Sequence, residues 1–140
     1  MILLDTNVLS ALMRKAPDTA VVAWLDLQPA SSIWTTAINV LEIGYGLEIL
    51  PTGKRRSELI KAFDVLLQHV LDQRVAPLDI AAAEQAAHLM ATRHRAGRPG
   101  DLRDTLVAGI ALAHRATVAT RNTRHFDDLP VRVVDPWQAE

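Results

Sequence analysis

The chain has 140 residues, 49% of them apolar and 22% charged, so it is long enough to bury a core as one domain spanning residues 1–140. It contains no cysteine, which excludes disulfides, thiolate metal sites and a cysteine nucleophile. Its net charge of −1, from 15 basic and 16 acidic residues, excludes a general positive field as the means of holding nucleic acid. Any contact with nucleic acid must therefore come from local basic groups.

The N-terminal segment MILLDT has neither a basic region nor a signal-peptide cleavage site. Its apolar runs are far shorter than the roughly 20 residues that a membrane-spanning helix needs. We therefore expect a soluble, cytoplasmic protein that does not enter a membrane.

Strand and helix patterns alternate in the first half of the chain. Residues 1–5 predict a strand, and apolar residues at helical spacing predict a helix directly after it. A second helix is expected between an Asp18 N-cap and Pro29, followed by a strand over residues 32–35. Thr36 can cap a third helix that runs toward Leu50. Residues 55–72 carry an apolar stripe of period 3.6 and predict one uninterrupted helix.

The second half repeats this alternation. Residues 75–78 predict a strand, and Asp79 can cap an alanine-rich helix that runs through Met90. Residues 95–101 predict a loop, and a further helix is expected from about Arg103 to Leu112. Residues 117–120 and 131–134 predict the last two strands. The whole pattern predicts a three-layer α/β/α domain with a central, mostly parallel sheet of four to five short strands.

Ligands of such sheets bind at the carboxyl ends of the strands. The polar residues that directly follow predicted strands are therefore the first candidates for a site. They are Asp5-Thr6-Asn7, Thr36, Asp79 and Thr120-Arg121-Asn122.

Three carboxylates have an unusual setting. Asp5 ends an apolar strand, although it could simply cap the next helix. Glu42 interrupts an apolar helical stretch near its apolar stripe, although a surface position is the plainer interpretation. Asp104 opens a helix that is apolar on nearly all sides, although a first-turn Asp also complements the helix dipole. Asp101 is a weaker candidate, because it lies in a loop and could be a plain N-cap.

Carboxylates that converge raise one another's pKa unless a cation lies between them. Ligation by oxygen alone favours Mg²⁺ or Mn²⁺ over zinc. The five histidines include no H-E-x-x-H or comparable pair, so a zinc site is not expected.

Five segments of the chain, in this order, resemble the PIN-domain nucleases and, within them, the VapC-like and FitB-like toxins. The segments are LLDTNVL at 3–9, NVLEIGYG at 39–46, GRP at 97–99 with DTLVAGIA at 104–111, ATRNTRHF at 119–126 and VDPW at 134–137. Together they span almost the full length of the chain. The resemblance implies a PIN-like fold and hydrolysis of RNA by an acidic quartet that binds one or two Mg²⁺ ions, with Mn²⁺ as a substitute.

Carried over to this chain, the resemblance implies that Asp5 and Asp104 are the principal metal ligands. Glu42 corresponds to the acidic residue that holds a water or a second ion, and Asn122 to the fourth position of the quartet. Many relatives have Asp at that position. Asn keeps an oxygen acceptor but lacks the charge, which weakens the case for a second ion.

The resemblance also implies contacts to RNA and to protein partners. Thr6, Asn7 and Thr120 would orient ligands or phosphate, and Arg98, Arg121 and Arg124 would hold the RNA backbone. Ordinary surface positions remain the alternative for these arginines. Toxins of this kind form homodimers and are silenced by an antitoxin that covers the acidic cleft.

Two other functions remain open at this stage. A binding module with the same fold would hold RNA or a protein without cutting it, and Asn122 favours this alternative slightly. An aspartyl-phosphate enzyme could use Asp5 as nucleophile. The haloacid-dehalogenase type needs a second Asp two residues later, however, and this chain has Asn7 there.

Overall fold

A five-stranded parallel sheet forms the middle of the protein, which we describe over residues 1–139 of a computed structural model. The strands are β1 (Ile2–Leu4), β2 (Ile33–Thr36), β3 (Val75–Ala76), β4 (Thr117–Ala119) and β5 (Val133–Val134). Their order is β3-β2-β1-β4-β5, and each neighbouring pair is parallel. The apolar β1 therefore lies at the centre of the sheet.

Helices connect the strands and cover the sheet. Within residues 1–139 they are α1 (Thr6–Leu12), α2 (Thr19–Asp26), α3 (Ala37–Glu48), α4 (Lys54–Val65), α5 (Ile80–Arg95) and α6 (Leu102–His114). Helices α2, α3, α5 and α6 each begin at a side chain that accepts first-turn N–H groups, as predicted for Asp18, Thr36, Asp79 and Asp101. In the described part of the chain, no helix has the length and hydropathy of a membrane span.

The two central leucines of β1 divide the core into two layers. Successive side chains of a strand point to opposite faces, so the fully buried Leu3 and Leu4 face different helices. Leu3 packs in one cluster with Ile110 of α6, and Leu4 packs in the other with Val8 of α1 and Phe63 of α4. The predicted three-layer α/β/α architecture is therefore confirmed, with five strands.

The prediction of one uninterrupted helix over residues 55–72 is wrong for its last third, residues 66–72. Helix α4 ends at Val65, and Leu66–Val70 form a π-helical turn that is closed by the Leu71 N–H bonding to Leu66 O at 3.0 Å. Asp72 and Gln73 then adopt φ values of 46° and 60°, a left-handed conformation that turns the chain into β3.

Four predicted strands are also shorter than expected, and the strand over residues 1–5 consists only of Ile2–Leu4. The strand over residues 75–78 ends at Ala76, because Pro77 has no N–H to donate to a neighbouring strand. The strand over residues 117–120 ends at Ala119, and that over residues 131–134 consists only of β5.

Helices α5 and α6 pack at close range through a glycine. A Cβ atom at Gly109 would lie 2.6 Å from the Ala82 carbonyl oxygen and 2.7 Å from the Ala86 Cβ. Only glycine allows this approach, which fixes α6 against α5 and so sets the position of its N-terminal turn.

The strand order creates a switch point between β1 and β4. The chain leaves β1 toward β2 and leaves β4 toward β5, so the two connections move apart and leave a crevice at the carboxyl ends of these strands. Ligands of open α/β sheets bind in such crevices. Asp5 and Thr120 are the residues that follow β1 and β4.

Candidate active site

Asp5 lies at the centre of the crevice and is 5% exposed. Its Oδ1 accepts hydrogen bonds from the Thr6 N–H and from Asn39 Nδ2, each at 2.9 Å. Its Oδ2 accepts one from Thr120 Oγ1 at 2.8 Å. Asp5 therefore caps α1, as one interpretation of the sequence held, and is also held by groups from α3 and from the end of β4.

Asn39 supports Asp5 from the first turn of α3. Its side chain is fully buried and also donates to Thr6 Oγ1 at 3.0 Å. The amide oxygen accepts a 2.6 Å hydrogen bond from Thr36 Oγ1, the cap of the same helix. Since the amide oxygen and nitrogen both have partners, the orientation of Asn39 toward Asp5 is fixed.

Thr120 supports Asp5 from the other side of the crevice. Its hydroxyl oxygen accepts hydrogen bonds from Asn7 Nδ2 at 3.2 Å and from the Asn122 N–H at 3.0 Å. The Asn7 amide oxygen in turn accepts the Arg121 N–H at 3.1 Å. The polar residues predicted at the ends of β1 and β4 thus form one network around Asp5.

Glu42 and Asp104 complete an acidic group with Asp5. Both side chains are about one-fifth exposed, at 20% and 21%. Burial raises the pKa of Glu42; Thr6 and Arg103 oppose this rise, while Asp5 and Asp104 add to it. Burial also raises the pKa of Asp104, and the charge of Asp5 adds to that rise. The three predicted carboxylates are therefore close enough to repel one another.

Cationic or donor side chains lie against two of these carboxylates. Nδ1 of His125 is 2.7 Å from Oδ2 of Asp104, and Nη1 of Arg103 is 3.7 Å from Oε2 of Glu42. Both Arg103 and His125 are about half exposed. They moderate the repulsion, because the neighbouring His125 lowers the pKa of Asp104 and Arg103 lowers that of Glu42.

The predicted arginines lie in two different settings. Arg98 and Arg124 line a cleft of about 310 Å³ together with Asp104 and His125. The Arg121 guanidinium instead lies over the indole ring of Trp137, 4.6 Å from its centroid. That distance is within the range of a cation–π contact, which holds Arg121 beside the end of β4.

Asn122 is joined to the site through its backbone. It is exposed and precedes a 3₁₀ turn over Thr123–Phe126, and its backbone N–H is the group that bonds to Thr120. Its assignment to the fourth position of an acidic quartet stays a prediction.

Comparison with known proteins identifies the relatives of this fold. A family profile described as the PIN domain matches residues 2–131. The chain belongs to the PIN-domain family.

Relatives at moderate identity cover this PIN domain almost completely. The VapC ribonuclease Y4jK of Sinorhizobium fredii is 38% identical over 99% of both chains. Toxin FitB of Neisseria gonorrhoeae is 34% identical over 98% of this chain and 99% of its own. The solved structure of FitAB bound to an IR36 DNA fragment superposes with a TM-score of 0.89 at 34% identity, covering 100% of this chain and 98% of that one. The resemblance to VapC-like and FitB-like PIN domains is confirmed.

The PIN-domain site suits a hard divalent cation by its chemistry. Asp5, Glu42 and Asp104 supply oxygen donors whose mutual repulsion a cation would relieve. Among residues 1–139, no three acidic or histidine side chains already stand at the spacing of a metal site. Binding an ion would therefore require some of these side chains to rearrange.

Sequence reasoning missed several residues of this PIN-domain site. Asn39 and His125 lie within the segments 39–46 and 119–126, but their spacing indicates no role for them. One signal for Asn39 was available, since it lies three residues before Glu42 and so shares a face of α3. The contact of His125 with Asp104 joins distant segments and leaves no trace in local sequence.

Proposed function

We propose that the protein is a Mg²⁺-dependent endoribonuclease that acts as the toxin of a toxin–antitoxin pair. The observation that carries this proposal is a group of three carboxylates at the switch point of the sheet, the buried Asp5 and the partly buried Glu42 and Asp104. The relatives named as a ribonuclease and as a toxin support it. Because its RNA substrate is cytoplasmic, we assign the protein to the same compartment.

Asp5, Asp104 and Glu42 would hold the metal ion, for which Mn²⁺ could substitute. When bound, the ion supplies Lewis-acid polarisation of the scissile phosphate and a water of lowered pKa. Asn39 and Thr120 keep the Asp5 carboxylate in a fixed orientation through bonds of 2.9 Å and 2.8 Å. This fixed orientation reduces the rearrangement that binding requires.

RNA would bind along the edge formed by the ends of β1 and β4. Arg98 and Arg124 in the cleft, and Arg121 above Trp137, would contact phosphates there. Thr6, Asn7 and Thr120 would orient ligands or phosphate at the centre of this edge, and Asn122 would take the fourth position of the acidic quartet. The net charge of −1 implies that affinity depends on these few local groups.

A cognate antitoxin is the expected protein partner. A nuclease that attacks cellular RNA must be neutralised in the cell that makes it, and the named toxin relative supports this arrangement. We expect the antitoxin to cover the acidic crevice and so to exclude RNA.

The deciding experiment is cleavage of total RNA by antitoxin-free protein in Mg²⁺, Mn²⁺ or EDTA. Wild-type protein is compared with Asp5→Asn and with Asp79→Asn, a matched control because Asp79 also follows a strand and caps a helix. We expect defined fragments from wild type and Asp79→Asn that disappear with EDTA and with Asp5→Asn.

The second candidate function is a PIN-fold module that binds RNA or a protein without cutting. The uncharged Asn122 at the fourth quartet position favours it. Intact RNA in every lane, from protein whose circular dichroism is that of a folded domain, would support the binding module and refute the nuclease.

A further inference from the structure

A buried arginine outside the acidic group connects the two segments that carry Asp104 and His125. Arg93 lies near the end of α5 and is 6% exposed. Its Nε and Nη2 donate to the two carboxylate oxygens of Asp128 at 2.8 Å and 2.7 Å. Nη2 also donates to the His125 carbonyl oxygen at 3.0 Å, and Nη1 to Thr105 Oγ1 at 3.2 Å.

These contacts reach His125 itself and Thr105, the residue next to Asp104. Thr105 directly follows Asp104 in the first turn of α6, and its hydroxyl donates in turn to the Asp101 carbonyl oxygen at 2.8 Å. His125 lies in the 3₁₀ turn after β4. One guanidinium therefore sets the distance between the start of α6 and this turn.

The loop before α6 is built around the same group. A Cβ atom at Gly100 would lie 2.9 Å from Arg93 Nη1 and 3.6 Å from Thr105 Oγ1. Glycine at this position lets the backbone approach the guanidinium closely.

We propose that Arg93 is a positioning residue for the active site, acting on Asp104 through Thr105 and His125. This inference rests on the proposed function, because it gives Asp104 a part in metal binding and cleavage. An arginine that served only to pair with Asp128 would not need the hydrogen bonds to His125 and Thr105. Lysine can keep the charge but cannot supply a planar set of donors to three partners.

The experiment compares Arg93→Lys with Arg74→Lys. Arg74 is a matched control, since its side chain is 19% exposed and bonds to the Ile33, Ala30 and Val70 carbonyl oxygens. It lies at the start of β2 and β3, at the opposite edge of the sheet from the acidic group. Both variants should lower the midpoint of urea unfolding.

Only Arg93→Lys should change the site. We expect it to weaken Mn²⁺ binding, measured by electron paramagnetic resonance of free Mn²⁺, and to lower kcat by about tenfold with a smaller change in KM. Unchanged Mn²⁺ binding and kcat in folded Arg93→Lys would overturn the proposal. Equal losses in Arg74→Lys would overturn it too, because they would follow from stability alone.

A third readout separates this inference from the proposed function. The NMR signals of the His125 ring, recorded without metal, should shift in Arg93→Lys and stay unchanged in Arg74→Lys. If wild type neither binds Mn²⁺ nor cuts RNA, the nuclease assignment fails. The positioning role is still tested in that case, because an unshifted His125 signal in Arg93→Lys would contradict it.

A gentler substitution covers the case in which Arg93→Lys does not fold. Gly100→Ala leaves the arginine in place but pushes a methyl group against Nη1, whereas Gly46→Ala has nothing within 4 Å of the added Cβ. We expect reduced Mn²⁺ binding and a shifted His125 signal in Gly100→Ala alone. Wild-type values for both in Gly100→Ala would refute the positioning role.

Discussion

The Thr120 hydroxyl donates a 2.8 Å hydrogen bond to Oδ2 of Asp5 while its own oxygen accepts N–H groups from Asn7 and Asn122. Since both lone pairs are used, its single proton has one direction left, toward the carboxylate. The bond joins residues 115 positions apart and fixes one side of Asp5 from the end of β4.

Replacing Thr120 by valine should remove this bond while keeping the shape of the side chain. We expect kcat for RNA cleavage to fall about tenfold. The free energy of unfolding should fall by about 1–3 kcal/mol, because buried donors lose their acceptor. Steady-state cleavage and urea unfolding measure the two effects.

Thr35→Val is the control for this change. Thr35 is also fully buried, but its hydroxyl donates to the Leu4 carbonyl oxygen at 2.8 Å and not to a carboxylate. We expect a similar loss of stability with nearly unchanged kcat. A comparable fall in kcat in both variants would argue against a specific role of Thr120.

Asp104→Asn should abolish cleavage and yet leave the metal-free protein at least as stable as wild type. Burial and the charge of Asp5 disfavour the ionised Asp104, and asparagine removes that charge. Mg²⁺ at ten times its Kd should add about 1.4 kcal/mol to wild type only. Thermal unfolding with Mg²⁺ or EDTA tests this, and an equal Mg²⁺ effect on both proteins would place the ion elsewhere.

The free energy of unfolding should depend on pH as expected for a carboxyl group whose pKa is raised by folding. The folded-state pKa of Asp104 lies above its ordinary value of 3.8. Its contribution to stability is therefore fully present below that ordinary value and is lost as pH rises through the folded value. In EDTA, the free energy of unfolding of wild type minus that of Asp104→Asn should decrease as pH rises above the ordinary Asp value of about 4. An increase would show that His125 lowers the pKa of Asp104 by more than burial raises it.

Arg121→Gln should weaken RNA binding in a salt-dependent way. Loss of one phosphate contact lowers the slope of log affinity against log salt by about 0.7 for a single strand. Trp137→Leu removes the ring beneath the guanidinium and should raise KM with little effect on kcat. Fluorescence anisotropy with labelled RNA at several salt concentrations measures the slope. An unchanged slope would mean that Arg121 does not contact a phosphate.

The centre of the site could be predicted from sequence because its position follows from strand ends. Asp5 and Thr120 follow apolar strands, and parallel strands bring their carboxyl ends to one edge. Asp104 could be predicted because it is a carboxylate in the first turn of a helix that is apolar on nearly all sides. These arguments use only local patterns and the direction of the strands.

The rest depends on contacts that local patterns do not contain. Nothing in residues 55–72 marks the change to a π-helical turn at Leu66, since no glycine or proline occurs there. The bonds from Arg93 to Asp128 and His125 link α5 to the segment after β4. An arginine on an alanine-rich helix has the sequence signature of a surface residue, although this one is buried.

The hydrogen bond between Thr120 and Asp5 makes the crevice depend on two positions that are far apart in the sequence. It joins residues 115 positions apart, so one side of the Asp5 carboxylate is held only after a long loop has closed. Contacts of this separation form slowly during folding. We therefore expect the crevice to become competent late in the folding of the domain, after the local helices have formed.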